Sequence, residues 1–193
     1  MSERSELQGV IIHSLFLGLR QHLSSAQVFD IRAHLDAARG PGTFARLEGM
    51  RRLAWVSADD YTSLVKATWE VLGESAYLAF WRKMGSVFLE SAFATVLKGF
   101  QAAFGVGPVT VLRAMCAIWG MVTRHCGKFT FRESAAKGEA TLLFEAPPAF
   151  VESWFAKGLA EGLAVTFDLS GVRGQLVPVH SAAGRVELQA RWS

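Results

Sequence analysis

The sequence predicts an α+β fold, an N-terminal helical bundle followed by a β-β-α-β-β antiparallel sheet packed against helices. Three observations lead there. Apolar residues recur at helical spacing through about two thirds of the chain. The period then shifts to alternation at Lys128–Glu133, Glu139–Glu145 and Arg185–Trp192. Helices and strands are thus segregated along the chain instead of alternating as in a parallel sheet.

The first elements are short. Val10, Leu15, Phe16, Leu19 and Leu23 fall near one helical face, Val28–Ala38 suggests a second helix, and Phe44–Arg52 a third. Arg39-Gly40-Pro41-Gly42-Thr43 reads as a turn between them. Residues 1–56 are accordingly read as an N-terminal helical extension, and 57–193 as an α+β, ligand-binding-like domain, the two forming one compact unit. Ser57 followed by Asp60 has the form of a helix start. Tyr61, Leu64, Val65, Thr68, Val71 and Leu72 follow on one face, and Gly73 is expected to end that helix.

A long helix is expected from about Ser75 to Phe104, with Tyr77, Phe80, Trp81, Met84, Phe88, Phe93, Val96, Leu97 and Phe100 making an apolar surface wide enough for burial on more than one side. Gly105-Val106-Gly107-Pro108 is a stop followed by a start, with Pro108 suited to a first helical turn. The next helix is expected to run to about His125, and Gly127 to cap it. Strands at Lys128–Glu133 and Glu139–Glu145 flank a hairpin-like loop. Pro147-Pro148 opens a helix through Phe150, Val151, Trp154, Phe155, Leu159 and Leu163. Gln175–His180 and Arg185–Trp192 close the chain as strands.

Composition narrows the function classes. Net charge is +3 without any long run of like charge, so no nucleic-acid partner is expected. No stretch reads as a signal peptide or a membrane span; Gly99–Leu112 is the longest uncharged run and holds a Gly-Val-Gly-Pro break. The two cysteines, Cys116 and Cys126, would lie about 15 Å apart along one helix, too far for a disulfide. Reduced thiols suit a cytoplasmic protein. His125-Cys126 is the one adjacent pair of metal-ligand types, and His13, His22, His34 and His180 are scattered, so no metal site is expected. Cys116 has apolar sequence neighbours that favour an inert thiol. Nucleophile-elbow, zinc-protease, phosphate-loop and dinucleotide motifs are missing, so no catalytic residue is assigned.

Asp60-Tyr61 opening the first strong helix, Gly85 within the long one, the Gly107-Pro108 junction and the β-β-α-β-β tail ending in Arg191-Trp192 carry a family resemblance. The chain resembles a family of proteins of roughly this length found mainly in myxobacteria. That family is similar in fold to haem–nitric-oxide-binding domains, four-vinyl-reductase-type domains and the small subunits of the TRAPP tethering complex. The match covers residues 50–193 well and the first fifty poorly. It implies a compact, homodimeric signalling or interaction module, not an enzyme, with an apolar interior that in some relatives holds a small molecule, haem or an acyl chain.

The haem-binding branch carries a helix-borne histidine ligand and a Tyr-x-Ser-x-Arg signature. Here Tyr61-Thr62-Ser63-Leu64-Val65 has Val65 in the arginine's place, and no haem or other cofactor is expected. The cysteine cluster of the four-vinyl-reductase type is also missing. Some TRAPP subunits carry a buried acylated cysteine, for which Cys116 would be the counterpart. The residues expected to line a ligand pocket are Phe80, Met84, Phe88, Met115, Cys116, Trp119 and Trp154, with a small hydrophobic molecule as partner. A closed cavity of ~300 Å³ or more would favour that reading. A filled core would favour a structural dimerisation scaffold. A polar cleft holding His125 or His180 beside a carboxylate would favour an enzyme with dispersed catalytic residues.

Overall fold

The computed structural model describes residues 4–91, 94–182 and 184–193, without the side chains of 90, 91 and 180–182. Phe93 and the side chain of His180, both singled out above, lie outside the described residues. The described part is α+β, as the periodicities predict, with helices packed on antiparallel sheets.

The chain opens with strand β1 (Glu6–Gln8) and helix α1 (Gly9–His22), then α2 (Ser25–Arg39) and the short α3 (Thr43–Glu48). Helix α2 begins on a reciprocal capping box: Ser24 Oγ accepts from the Gln27 N–H, and the Gln27 side chain accepts from the Ser24 N–H. The predicted turn after it uses Gly40 and Gly42, both at positive φ. The third helix ends at Glu48, four residues short of the expected Arg52, because the backbone turns at Gly49 toward strand β2 (Trp55–Ser57).

Helix α4 (Ala58–Ser91) starts where Ser57 and Asp60 suggested, but by different bonds. Ser57 Oγ accepts from the Asp59 N–H. The Asp60 carboxylate turns outward from the cap and takes Arg39 at 2.9 Å and Arg46 at 2.9 Å. Gly73 ends the first helical segment, as expected, with a non-helical φ of 69° and ψ of 167°, and a second segment follows directly across the kink within α4. The expected unbroken helix to Phe104 is divided: α5 (Ala94–Phe104) is bent 78° from α4. Helix α6 (Pro108–Val122) has Pro108 in its first turn and stops at Val122, before the predicted His125, because Thr123–Arg124 is strand β3.

Strands β1, β2 and β3 form a small antiparallel sheet with β1 in the middle, Leu7 lying opposite both Val56 and Thr123. Three strands of three, three and two residues are too short to show alternation in the sequence. Strands β4 (Lys128–Glu133) and β5 (Glu139–Glu145) keep the predicted bounds. After a single 3-10 turn at Pro148–Phe150 comes α7 (Ser153–Leu169), then β6 (Gly174–Ala182) and β7 (Arg185–Trp192). The four-stranded antiparallel sheet runs β4-β5-β7-β6. Its buried face carries Ala140, Leu142, Phe144, Val186, Leu188 and Ala190.

One apolar core joins both parts of the chain: Leu7, Ile12, Leu15, Leu19, Leu35 and Leu47 belong to the same cluster as Phe144, Phe150, Phe167 and Leu188. At its centre α4 crosses α7 at close range. A β-carbon at Gly85 would lie 2.2 Å from the Gly162 carbonyl oxygen, so only glycine fits there. Among the described residues no single helix is long and apolar enough to cross a membrane.

Candidate functional site: an apolar cavity between helices and sheet

Tyr77, Trp81 and Gly85 are spaced four apart on α4 and therefore stack along one face. That face meets Gly158 and Gly162, likewise four apart, on α7. The ring edge of Trp81 would stand 3.5 Å from a β-carbon at Gly162, and the Tyr77 hydroxyl 2.6 Å from one at Gly158. Two glycines on one helix thus make the trough in which two large rings of the other lie.

Next to this crossing is a cavity of ≈ 100 Å³. Helix α4 supplies Tyr61, Tyr77, Trp81 and Phe88; α6 supplies Met115, Cys116 and Trp119; Phe129 and Leu142 of the sheet and Leu159 of α7 close it. Both tyrosines of the chain line it. No lining residue is charged and none is histidine. Ring contacts surround the space: Trp81 stacks on Phe88 with centroids 6.3 Å apart, and Trp119 meets Phe129 edge-on at 5.6 Å.

Burial governs the ionisable groups. It pushes the Tyr61 hydroxyl well up from its ordinary value, with a smaller push from Cys126. It does the same to Tyr77, where neighbouring Tyr61 adds and Trp81 subtracts. Trp81 stands near enough to the Tyr77 hydroxyl to favour its ionised form but not in hydrogen-bonding geometry, since both polar atoms are without a partner. The Cys116 thiol is pushed up to about 11 by burial, so it is neutral at physiological pH. Such a thiol is a poor nucleophile.

Of the seven residues expected to line a pocket, Phe88, Met115, Cys116 and Trp119 line this cavity. Phe80, Met84 and Trp154 do not. Met84 sits one position round α4 from Gly85 and presents its sulfur to Gly18 of α1. Trp154 turns its indole N–H to the Glu152 carboxylate at 2.6 Å. Tyr61, Tyr77, Trp81, Gly85 and Gly162 are among the further lining residues that were not expected there, although the four-residue spacing of Tyr77, Trp81 and Gly85 was a usable signal. Cys126 is elsewhere: its thiol donates to the Glu6 carbonyl at 3.2 Å and secures β1.

No family model matches the chain, and no curated protein matches it. Solved structures do. An unliganded Fe(II) H-NOX protein mutant from K. algicida superposes with a TM-score of 0.66 at 10% identity, covering 97% of each chain. The fold is that of the H-NOX proteins. An S. oneidensis H-NOX protein in its Fe(II)NO state gives 0.61 at 12% identity, covering 97% of this chain and 99% of that one. An oxygen-binding H-NOX domain related to soluble guanylate cyclases gives 0.58 at 12%, covering 97% and 95%. The likeness spans the first fifty residues as well, which the sequence resemblance covered poorly.

An H-NOX fold raises the matter of haem, and the residues here do not fit one. Iron ligation by this family's pattern needs a histidine, and none lines the cavity. His13, His22 and His34 stand on α1 and α2, His13 bound to the Met50 carbonyl and His34 to the Asp30 carbonyl. The indole rings of Trp81 and Trp119 occupy the walls instead, and the space left holds a fraction of a porphyrin. Among the described residues no three His, Cys, Asp or Glu side chains come together as metal ligands do.

Proposed function

We propose that this protein is a sensory or interaction module that takes a small hydrophobic molecule in the cavity between α4, α6, α7 and the sheet, and that it works as a homodimer. The observation that carries the reading is the cavity itself: an apolar space, partly open to the surface, lined by residues of the main core. Interiors leave few such spaces, because each void forfeits packing contacts. The H-NOX fold supports a sensory role by analogy, since solved members are described in nitric-oxide and oxygen complexes. Phe104 and Val106, left in solvent at the α5–α6 junction, are a candidate apolar surface for self-association.

Size supports a second reading. The cavity is about a third of the ~300 Å³ at which ordinary ligand clefts begin. A dimerisation scaffold whose core is nearly filled accounts for that as well.

Native mass spectrometry of the protein as purified from cells separates the two. A dimer carrying added non-covalent mass supports the sensor. A dimer without added mass supports the scaffold, and a monomer removes the dimer from both.

A further inference from the structure

We propose that one end of the small three-stranded sheet docks on an anionic lipid surface, through Arg51, Arg52, Leu53, Trp55, Met121 and Arg124. None of these residues lines the cavity, so the proposal stands apart from the ligand reading.

The sheet brings the six together. Strands β2 and β3 are each antiparallel to β1 and therefore parallel to one another. Leu53 and Met121 come two residues before Trp55 and Thr123, the first residues of those strands, so both stand at the same end of the sheet. Both are left in solvent, Leu53 81% exposed and Met121 62%. Arg124 reaches across β1 and lays its guanidinium 3.8 Å from the centre of the half-buried Trp55 ring. Stacking of that kind uses the flat face and leaves the N–H groups at the edge free to donate.

Charge gives the sign of the partner. Arginines elsewhere are mostly neutralised, as Arg20 is by Glu48, Arg82 by Asp168 and Arg191 by Glu139. Arg51, Arg52 and Arg124 have no acidic partner among the described residues. No acidic residue occurs between Glu48 and Asp59, or between Glu90 and Glu133, the two stretches that supply the patch. Glu6 is the one acid of the three strands. Such a surface attracts an anion.

The apolar residues among the cations decide which anion. Nucleic acid would engage the arginines through its phosphates and gain little from Leu53 and Met121. A protein would need a shaped pocket for each of them. A lipid headgroup layer needs none: it takes arginines at its phosphates, tryptophan at the same level, and apolar side chains just beneath.

The turn that presents three of the six residues is already held in place. Ala54 N–H donates to the Arg51 carbonyl at 3.0 Å, and Gly9 N–H to that of Ala54 at 2.7 Å. His13 binds the Met50 carbonyl, and a β-carbon at Gly9 would stand 2.2 Å from the Arg51 carbonyl oxygen. Little freedom is therefore lost in the backbone on docking.

Flotation of the full chain with vesicles tests this. One set of vesicles is phosphatidylcholine alone, the other phosphatidylcholine with phosphatidylserine. The protein is expected to float with the anionic vesicles, less so as salt is raised, and to stay behind with the neutral ones. Arg51→Gln with Arg52→Gln should weaken binding about thirtyfold, as removal of two cations from an anionic surface implies. Leu53→Ser should weaken it about tenfold and keep the salt dependence. Arg132→Gln with Lys137→Gln removes the same charge from β4 and the loop after it, and should change binding by less than about twofold. All five side chains are exposed, so these variants keep the fold.

Failure to float with anionic vesicles would overturn the proposal, as would equal flotation with neutral ones. Equal weakening by the Arg132 and Lys137 pair would reduce the attraction to net charge and remove the patch. Polyglutamate that displaces the vesicles, and binds more weakly to the Leu53→Ser variant, would assign the patch to an acidic protein and overturn the lipid.

Discussion

The Tyr77 hydroxyl lies against the backbone of Gly158, so close that a β-carbon there would stand 2.6 Å from the oxygen and 2.8 Å from a ring carbon. The tyrosine is buried completely, and α7 has no slack further along the same face: Gly162, one turn on, is already against Trp81 and Gly85. Gly158→Ala is therefore expected to destabilise the fold by about 1–3 kcal/mol, the usual cost of overpacking a core. Adding Tyr77→Phe should return part of that loss, because the nearest atom is then gone. Tyr77→Phe alone should be close to neutral, since it removes a buried hydroxyl that has no partner. Urea unfolding of the two single variants and the double variant measures all three.

The chain's two tyrosines should stay un-ionised in the native protein well past the pH at which free tyrosine titrates. Burial raises both, and a raised hydroxyl holds its proton more tightly folded than unfolded. The same holds for Cys116 and Cys126, each pushed up from 9.0 to about 11. Stability from these groups is present in full below the unfolded values. It falls as pH rises, over about pH 9 to 11 for the thiols, because the unfolded chain releases its protons first. Urea midpoints should decline across that range, and tyrosinate absorbance should appear only together with unfolding. A tyrosinate band in protein that is still folded would contradict the burial of both rings.

Asp60 is expected to be the most sensitive carboxylate in the N-terminal half. It is nearly buried and joins Arg39 of α2 and Arg46 of α3 to the first turn of α4. Asp60→Asn would leave two guanidinium groups facing a neutral amide. Both arginines retain access to water, which limits the loss to about 1–2 kcal/mol. The variant's stability should also depend less on salt than that of the unaltered protein, measured as the urea midpoint at low and high ionic strength.

Haemin added to the purified protein should give the spectrum of unliganded haemin and no histidine-ligated band. No histidine lines the cavity, and Trp81 and Trp119 form its walls. A ligated spectrum that disappears in a His13→Ala, His22→Ala or His34→Ala variant would show that the chain opens far enough to bring one of them in.

Much of this architecture was legible in the residues. Helical spacing located α1, α2, α6 and α7, and alternation located β4, β5 and β7, because each is long enough for its period to repeat. Strands β1, β2 and β3 were not readable: two or three residues contain no period, and their pairing joins distant parts of the chain. The division between α4 and α5 was hidden by an apolar run that continues across it. On α4, composition marked Phe80, Trp81, Met84 and Phe88 alike. Which of them faces the cavity depends on where α1 and α7 lie around the helix, and Gly18 and Gly162 decide that in space. The two glycines of α7 were the missed clue, since they show which face of α4 can approach closely.

Strand β1 has a consequence for how the molecule is assembled in time. Glu6 and Leu7 pair on one side with Val56 and Ser57, and on the other with Thr123 and Arg124. Ser5 Oγ donates to the His125 carbonyl and the Cys126 thiol to that of Glu6, across the same span. During synthesis the first of these pairings can form early. The second must wait for more than half the chain to emerge, leaving one edge of β1 open to other strands in the interval. Closing so long a loop comes late and slowly, so the step that seals the N-terminal helices to the sheet should govern the folding rate.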